Sequence, residues 1–214
     1  MTISVHPGAD DRDWGGRLPR NESLDLDDEQ RAARDEIVGR SARWAERSGF
    51  APTDDRGGLI GPFNAFALRP APGRAFNQWV QTDQRGSSLA RTIREVVILT
   101  VGVAWQADYE IYAHVAVART VGLSETVIAG LREGSTEGST DGWAPDELAA
   151  HRFTDELVRN HRVAPATYAA AEEAFGRDGV LDMVHLVGMY LATSALLNAF
   201  EIPAPEIPAP PIPD

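Results

Sequence analysis

The sequence predicts an all-α fold, a bundle of packed helical hairpins. From Gly73 to Phe200, apolar residues recur at helical spacing almost without interruption, as expected of helices with a buried face. Strict apolar–polar alternation, the pattern of half-buried strands, is nearly absent. Short clusters rich in Gly, Pro and Ser separate the periodic segments and predict the turns between helices.

The periodic segments predict nine helices with recognisable ends. Asp27 or Asp28 can cap the first helix and Gly49 can end it. Pro70 should stop the second helix, because proline disfavours helical geometry in the residue before it. Ser88 is a possible cap for the fourth helix. The predicted helices span residues 29–47, 63–68, 73–83, 89–103, 106–121, 124–131, 145–160, 165–175 and 179–200.

These helices define one all-helical domain over residues 27–202. Residues 1–26 are polar and aperiodic, which predicts a loosely ordered arm or a strap over a neighbour. Residues 203–214 repeat Ile-Pro-Ala-Pro with small changes and predict an extended Pro-rich tail. The acidic, Gly- and Ser-rich segment 133–143 predicts a flexible surface loop.

The longest apolar stretch, residues 180–200, is interpreted as a buried core helix. Asp182, His185 and Asn198 interrupt it, and it lacks the flanking positive charges of a membrane span. The N-terminus has neither a basic segment before an apolar run nor an Arg-rich amphipathic pattern. We therefore expect a cytoplasmic protein without a membrane partner.

Composition excludes several kinds of chemistry. The chain has no cysteine, and its twenty basic residues are all arginine. Disulfides, thiolate nucleophiles, Cys-ligated metals and lysine Schiff bases are therefore impossible within it. The formal net charge of −12 repels phosphate backbones, so nucleic acid is not an expected partner.

The strongest functional signal is a pair of ionisable residues on one helix. Glu110 and His114 are four residues apart, so their side chains share a helix face. The surrounding helix is apolar nearly all round, as buried helices are. Glu95 precedes the apolar run of the preceding helix and is a second carboxylate at a position that suits a core residue. Charges inside such helices are costly without a function or partner. These three residues are equally compatible with a proton-transfer site and with a buried structural network.

Other histidines do not extend this group into a metal site. His6, His151, His161 and His185 are scattered, so no metal motif is predicted. His151 and His161 have polar neighbours and are expected to be solvated. His185 lies on an apolar helix and is interpreted as a core histidine.

Nearby residues are candidates for binding a substrate. Tyr190 lies in the last apolar helix, where its hydroxyl needs a partner. Trp105 and Tyr109 could line a pocket for a flat unsaturated ligand, although core packing is the commoner role of such rings. Arg94 could hold a substrate carboxylate, although a helix-surface salt bridge is the commoner role of such an arginine.

The order and spacing of these motifs resemble the carboxymuconolactone decarboxylase family, whose fold is shared with alkyl hydroperoxidase D-like proteins. The similarity covers about residues 61–203. It implies an all-helical protomer that forms trimers or hexamers, with sites near subunit boundaries. The motifs are Arg94-Glu95-Val-Val-Ile-Leu, the segment from Trp105 to Glu110-x-x-x-His114, Ala116-x-Ala118-x-x-x-Gly122-Leu-Ser, and Tyr190 with Leu196-Leu-Asn198-Ala-Phe.

In the peroxidase branch of that fold, two cysteines precede the histidine. Here Ala107 and Glu110 occupy those positions, so thiol peroxidase and disulfide reductase chemistry is excluded from this chain. The decarboxylase branch implies the Glu-x-x-x-His pattern that Glu110 and His114 supply, with Glu95 as the upstream acid.

The first functional hypothesis is a cofactor-independent lyase or isomerase acting on a small unsaturated acid or lactone. His114 would be the acid or base, Glu110 would orient and charge it, and Glu95 would hold a second proton or tune the site. The same residues could serve a dehydratase or cyclase of a secondary-metabolite pathway. A non-catalytic oligomeric protein that binds a small molecule is the alternative from another class.

Overall fold

The computed structural model describes residues 13–134 and 141–207, and this part of the chain is all-α. Its one strand-like contact is an isolated antiparallel bridge between Thr53 and Leu59. Within these two ranges, a short 3-10 turn, Asn21–Ser23, precedes eight helices. They are α1 (Asp28–Ser48), α2 (Pro62–Leu68), α3 (Pro70–Gly86), α4 (Arg91–Ala104), α5 (Asp108–Val121), α6 (Glu125–Glu133), α7 (Pro145–Asn160) and α8 (Pro165–Ala199).

Several predicted helix ends are confirmed by their hydrogen bonds. The Asp27 side chain accepts from the backbone N–H of Gln30, whose side chain accepts from the N–H of Asp27 in return. Gly49 follows α1 in the left-handed conformation, with φ of 78°. Ser88 is not the cap of α4, because it bonds Asp182 of α8 instead.

Two predicted boundaries differ for reasons of local geometry. Pro70 stops α2 at Leu68 but also begins α3, since proline fits the first turn of a helix, where no N–H partner is needed. The two C-terminal helices are joined as α8. Gly176 marks a kink between them, with φ of 65° and ψ of 175°.

Helix α4 is the centre of the bundle. It packs on α5, α7 and α8, and all of its residues from Ile93 to Gly102 are buried. The main core surrounds it with apolar side chains of α6, α7 and α8, among them Ile128, Phe153 and Leu186. The described residues before α1, 13–26, are here called the N-terminal strap. A second core cluster lies where this strap meets α5, and it includes Trp14 and Tyr112. From residue 13 onward, therefore, the predicted arm is packed against the domain; residues 1–12 lie outside the described chain.

The C-terminal part of α8 is only partly a core helix. Met183, Leu186 and Leu197 are buried, but Leu181 is 51% exposed and Val184 is 42% exposed. His185 is exposed as well, so its interpretation as a core histidine is wrong. By length and composition α8 could span a membrane, but core helices also meet this criterion. The central residues of the predicted 133–143 loop and the end of the Pro-rich tail lie outside the described residues.

Candidate active site

Helices α4 and α5 form a tight antiparallel hairpin that brings Glu95 and His114 together. The turn between them places Gln106 in the left-handed conformation, with φ of 53°. Gly102 allows the close approach, because a Cβ atom there would lie 3.3 Å from the Cβ of Glu110. As a result, the three sequence-predicted ionisable residues converge, and all three are buried.

The imidazole of His114 lies between the two carboxylates. Its Nδ1 atom is 2.7 Å from Oε2 of Glu95, a hydrogen-bond distance. Its Nε2 atom is 3.5 Å from Oε2 of Glu110, too far for a strong hydrogen bond. A carboxylate only accepts hydrogen bonds, so Nδ1 donates to Glu95. The role of orienting His114 was expected of Glu110, but these distances favour Glu95 for that role.

The surroundings change the protonation of both side chains. Burial raises the pKa of Glu110 to about 7, aided by the negative charge of Glu95 and opposed by His114. Burial alone would lower the pKa of His114, but the charge and hydrogen bond of Glu95 outweigh it, so the pKa of His114 is raised. The charged form of His114 is therefore favoured by Glu95, while Glu110 titrates near neutral pH.

This site opens on a small cavity of about 100 Å³, here called the inner cavity. Aromatic rings form most of its wall, including Trp44, Phe50, Phe63, Phe66 and Phe76. The polar residues that line it are Asn77, Tyr109, Glu110, His114, Tyr190 and Thr193. A mostly apolar cavity with a few converging polar groups is typical of small-molecule sites.

Two tyrosines line the inner cavity in different ways. The ring of Tyr190 meets the ring of His114 edge-on, with centroids 4.9 Å apart and planes at 89°. Burial raises the pKa of Tyr190 well above its ordinary value, so its hydroxyl remains a proton-bearing donor. The hydroxyl of Tyr109 already donates to the carbonyl of Ala51, at 2.9 Å.

Arg94 and Trp105 lie outside the lining of the inner cavity. The guanidinium of Arg94 donates to Asp83 of α3 at 2.6 Å, so its charge is already compensated. Its Nη1 atom is buried without a hydrogen-bond partner. Trp105 is 38% exposed and does not line the inner cavity, and its carbonyl accepts from Asn198. Neither side chain therefore contributes to the lining of the inner cavity.

The expectation that His151 is solvated is wrong. It is 4% exposed and packs near Trp143, with ring centroids 5.3 Å apart. The hydroxyl of Thr100 donates to the carbonyl of Val96 and accepts from Nδ1 of His151, at 2.9 Å. Burial lowers the pKa of His151, so it is a neutral structural side chain. His161 is exposed, as predicted.

Sequence reasoning missed the residues that complete the site from other helices. Asp83 lies near the end of α3, where an acidic residue is expected to be exposed to solvent. Phe66, Phe76 and Thr193 line the inner cavity from three further helices. Of these residues, only Thr193 could have been identified from the sequence, because it is a polar residue within the apolar run of α8, three residues after Tyr190.

Comparison with known proteins supports the fold. No protein-family model and no curated protein matches the chain. It is similar to the crystal structure of the alkylhydroperoxidase AhpD core of an uncharacterized peroxidase-related protein from Ralstonia eutropha JMP134. That match has a TM-score of 0.67 and 20% identity, and covers 88% of this chain and 91% of the other.

A second solved structure gives the same result. It is a protein of unknown function from Agrobacterium tumefaciens whose suggested role is that of the antioxidant defence protein AhpD. The TM-score is 0.59 with 14% identity, over 67% of this chain and 97% of the other. The chain therefore has the all-α fold of AhpD-like proteins.

Proposed function

We propose that this chain is a cofactor-independent acid–base enzyme, a lyase or isomerase that acts on a small unsaturated acid or lactone. The observation that carries the proposal is a buried imidazole between two carboxylates, at the wall of a mostly apolar cavity. A carboxyl group with a pKa of about 7 can give or take a proton at neutral pH with little cost.

In the isomerase reaction, ionised Glu110 removes a proton from carbon next to a conjugated carbonyl. The C–H electron pair moves to the carbonyl oxygen and forms an enolate. Charged His114 and the hydroxyl of Tyr190 are the donors that stabilise it. Glu110 then returns its proton to another carbon of the conjugated system. Glu95 keeps His114 oriented and charged throughout.

The lyase reaction passes through the same enolate. The bond to a substrate carboxylate breaks, carbon dioxide leaves, and the electron pair of that bond forms the enolate. Protonated Glu110 supplies the proton that completes the product. Because the chain has no cysteine, the thiolate chemistry of peroxidases has no nucleophile here, and Glu110 itself stands at one of the two cysteine positions that the resemblance implies.

A proton-exchange experiment tests this function. Candidate unsaturated acids and lactones are incubated with the protein in D₂O, with NMR detection of lost C–H signals and of ¹³CO₂ from labelled carboxyl groups. We expect exchange or carbon dioxide release that falls at least about 100-fold in His114→Asn. His161→Asn is the matched control, since His161 is exposed and its left-handed conformation suits asparagine.

The outcomes separate the alternatives. Unchanged rates in His114→Asn would remove His114 from the mechanism. Loss of water from the substrate, or ring formation, would identify a dehydratase or cyclase. Ligand-induced chemical shifts without any chemical change across the panel would identify a binding protein.

The proposal includes self-association. The exposed apolar side chains of α8, Leu181 and Val184, lie on a helix whose other face is core, and Trp79 of α3 is 41% exposed near Gly188 of the same helix. A second copy of this chain, in a trimer or hexamer, is the occupant that would bury this surface.

A further inference from the structure

A larger cavity adjoins the inner cavity and is here called the outer chamber. It has a volume of about 290 Å³ and lies between α2, α3, the end of α8 and the N-terminal strap. Phe66, Phe76 and Thr193 line both cavities. The two phenylalanine rings are stacked, with centroids 5.2 Å apart and planes at 30°. These shared residues form the partition between the outer chamber and the site of His114.

The outer chamber is apolar apart from Arg69 and Thr193, whose hydroxyl donates to the carbonyl of Met189 within α8. Of the described residues that line it, Arg69 is the only charged one. Arg69 lies between α2 and α3, where its backbone N–H donates to the carbonyl of Ala65. Its exposed side chain makes no ion pair with the described residues. A guanidinium beside an apolar wall is suited to bind a carboxylate whose hydrocarbon part enters the chamber.

The inner cavity offers no such position for a carboxylate. Asp83 compensates Arg94, and Glu95 compensates His114. The remaining ionisable group there that titrates near neutral pH is Glu110, an acid. A substrate carboxylate placed among these groups would meet like charges and lose its hydration without a free cation. The acid end of a substrate therefore belongs at Arg69 and not at His114.

We infer that the substrate is a monocarboxylic acid with an extended hydrocarbon body. This inference rests on the isomerase reaction proposed for the same site, because an acid that keeps its only carboxylate at Arg69 cannot lose carbon dioxide. The carboxylate binds Arg69, the body fills the outer chamber, and an uncharged unsaturated carbonyl or lactone group passes the Phe66–Phe76 partition to reach His114. The carboxylate held by Arg69 is retained in the product. Arg69 is thus a specificity-determining residue and takes no part in proton transfer.

Binding of octanoate and of octan-1-ol tests the inference without requiring turnover. Both probes have the same hydrocarbon length, but only octanoate carries the charge. In Arg69→Gln, octanoate affinity should fall about tenfold, the effect of one charged hydrogen-bonded contact, while octan-1-ol affinity changes less than about twofold. Arg177→Gln, an exposed arginine outside the chamber, is the matched control.

A second variant locates the bound probe. Ala192 is exposed and lines the outer chamber, so Ala192→Trp adds a large ring there without entering the core. Both probes should then bind at least about tenfold more weakly, with an unchanged circular dichroism spectrum. Sedimentation should also stay unchanged; a change would show that a second copy covers this surface, and would overturn the inference.

The results distinguish this inference from the proposed function. If Arg69→Gln leaves octanoate affinity unchanged, the assignment of the carboxylate is wrong, even where the proton-exchange experiment succeeds. If octanoate binds through Arg69 in the wild type and in His114→Asn, but no substrate undergoes exchange, the chamber is a ligand site and the enzymatic proposal fails. Turnover of panel acids with an unchanged kcat and a raised KM in Arg69→Gln supports both.

Discussion

At the scale of single residues, the fold separates the roles of two similar carboxylates. Glu95 is held against Nδ1 of His114 at 2.7 Å, whereas Glu110 lies 3.5 Å from Nε2. The closer carboxylate stabilises the imidazolium, and burial of the more distant one raises its pKa to about 7. Two carboxylates with different environments are how one site can hold both an acid and a base at the same pH.

The first prediction concerns stability and pH. The pKa of Glu110 rises from 4.5 to about 7 on folding, so between these values the unfolded chain releases the proton first and stability falls as pH rises. By pH 8.5, this pKa shift of Glu110 lowers the free energy of unfolding by about 3 kcal/mol. The raised pKa of His114 acts in the same direction. Its stabilising effect is fully present below the pKa of the unfolded state and is lost as pH rises through the higher pKa of the folded state.

Glu110→Gln should therefore unfold at higher urea concentration than the wild type at pH 8.5, with a smaller difference at pH 5. Glu173→Gln removes the same charge from an exposed position and is expected to follow the wild type. Equal pH dependence in wild type and Glu110→Gln would show that Glu110 is not a buried acid.

The second prediction concerns the partner of His114. Glu95→Gln removes the negative charge that offsets burial, so the pKa of His114 should fall below its ordinary value of 6.5. Nitrogen NMR of labelled histidine can measure this change, with His161 as an internal exposed reference. A His114 titration that does not move in Glu95→Gln would contradict the hydrogen bond as the cause.

Sequence predicts only those site residues that interrupt the apolar pattern of their own helix. Glu95, Glu110 and His114 could be found because each places an ionisable group within apolar helices. Asp83 and Phe76 could not, since each fits the ordinary pattern of its own helix and joins the site only through packing between helices. A salt bridge was the commoner role expected of Arg94, but its acidic partner could not be identified from sequence, because Asp83 belongs to another helix, eleven residues earlier.

At the scale of elements, the entry of the chain into α2 shapes the inner cavity. Gly61, just before α2, has φ of 62° and lies against the ring of Tyr109. An added Cβ atom would be 2.2 Å from that ring. Glycine is therefore needed both for the positive φ and for the close contact with Tyr109 in the cavity wall.

The third prediction follows from this contact. Gly61→Ala should lower the free energy of unfolding by about 2–4 kcal/mol, because backbone strain and overpacking both act at this position. Gly39→Ala, at an exposed helical position with open space around its Cβ, should instead raise it by about 0.5–1 kcal/mol. Thermal unfolding of both variants checks the pair. Similar changes in the two would contradict the proposed contact at Gly61.

The positions of the helices were predictable from sequence, but the continuity of two neighbouring helices was not. α7 is found at its predicted bounds of residues 145–160 because Pro145 and the following apolar stripe are local signals. The join at Gly176 was missed, since a glycine in a helical pattern equally predicts an end or a kink. Whether the helix resumes at once depends on how both halves of α8 pack on α4 and α7, which no local signal contains.

At the scale of the whole molecule, the fourth prediction concerns the apolar face of α8. Val184→Asp introduces a charge into the surface that a second copy is proposed to cover, so it should shift the protein towards monomer in sedimentation velocity. Leu24→Asp, a similar change at a residue that is 41% exposed on the N-terminal strap, is the control and should sediment as the wild type. A wild type that is monomeric at high concentration would contradict the proposed assembly.

The proposed mechanism requires that the fold hold Glu110 as a buried acid that exchanges its proton near neutral pH beside a charged His114. Carbon NMR of protein labelled at glutamate carboxyl carbons tests it most directly. We expect one resonance with a titration midpoint near pH 7 that is absent in Glu110→Gln and present in Glu173→Gln. If every glutamate carboxyl group titrates near its ordinary value of 4.5, the claim is contradicted and the acid–base mechanism loses its proton carrier.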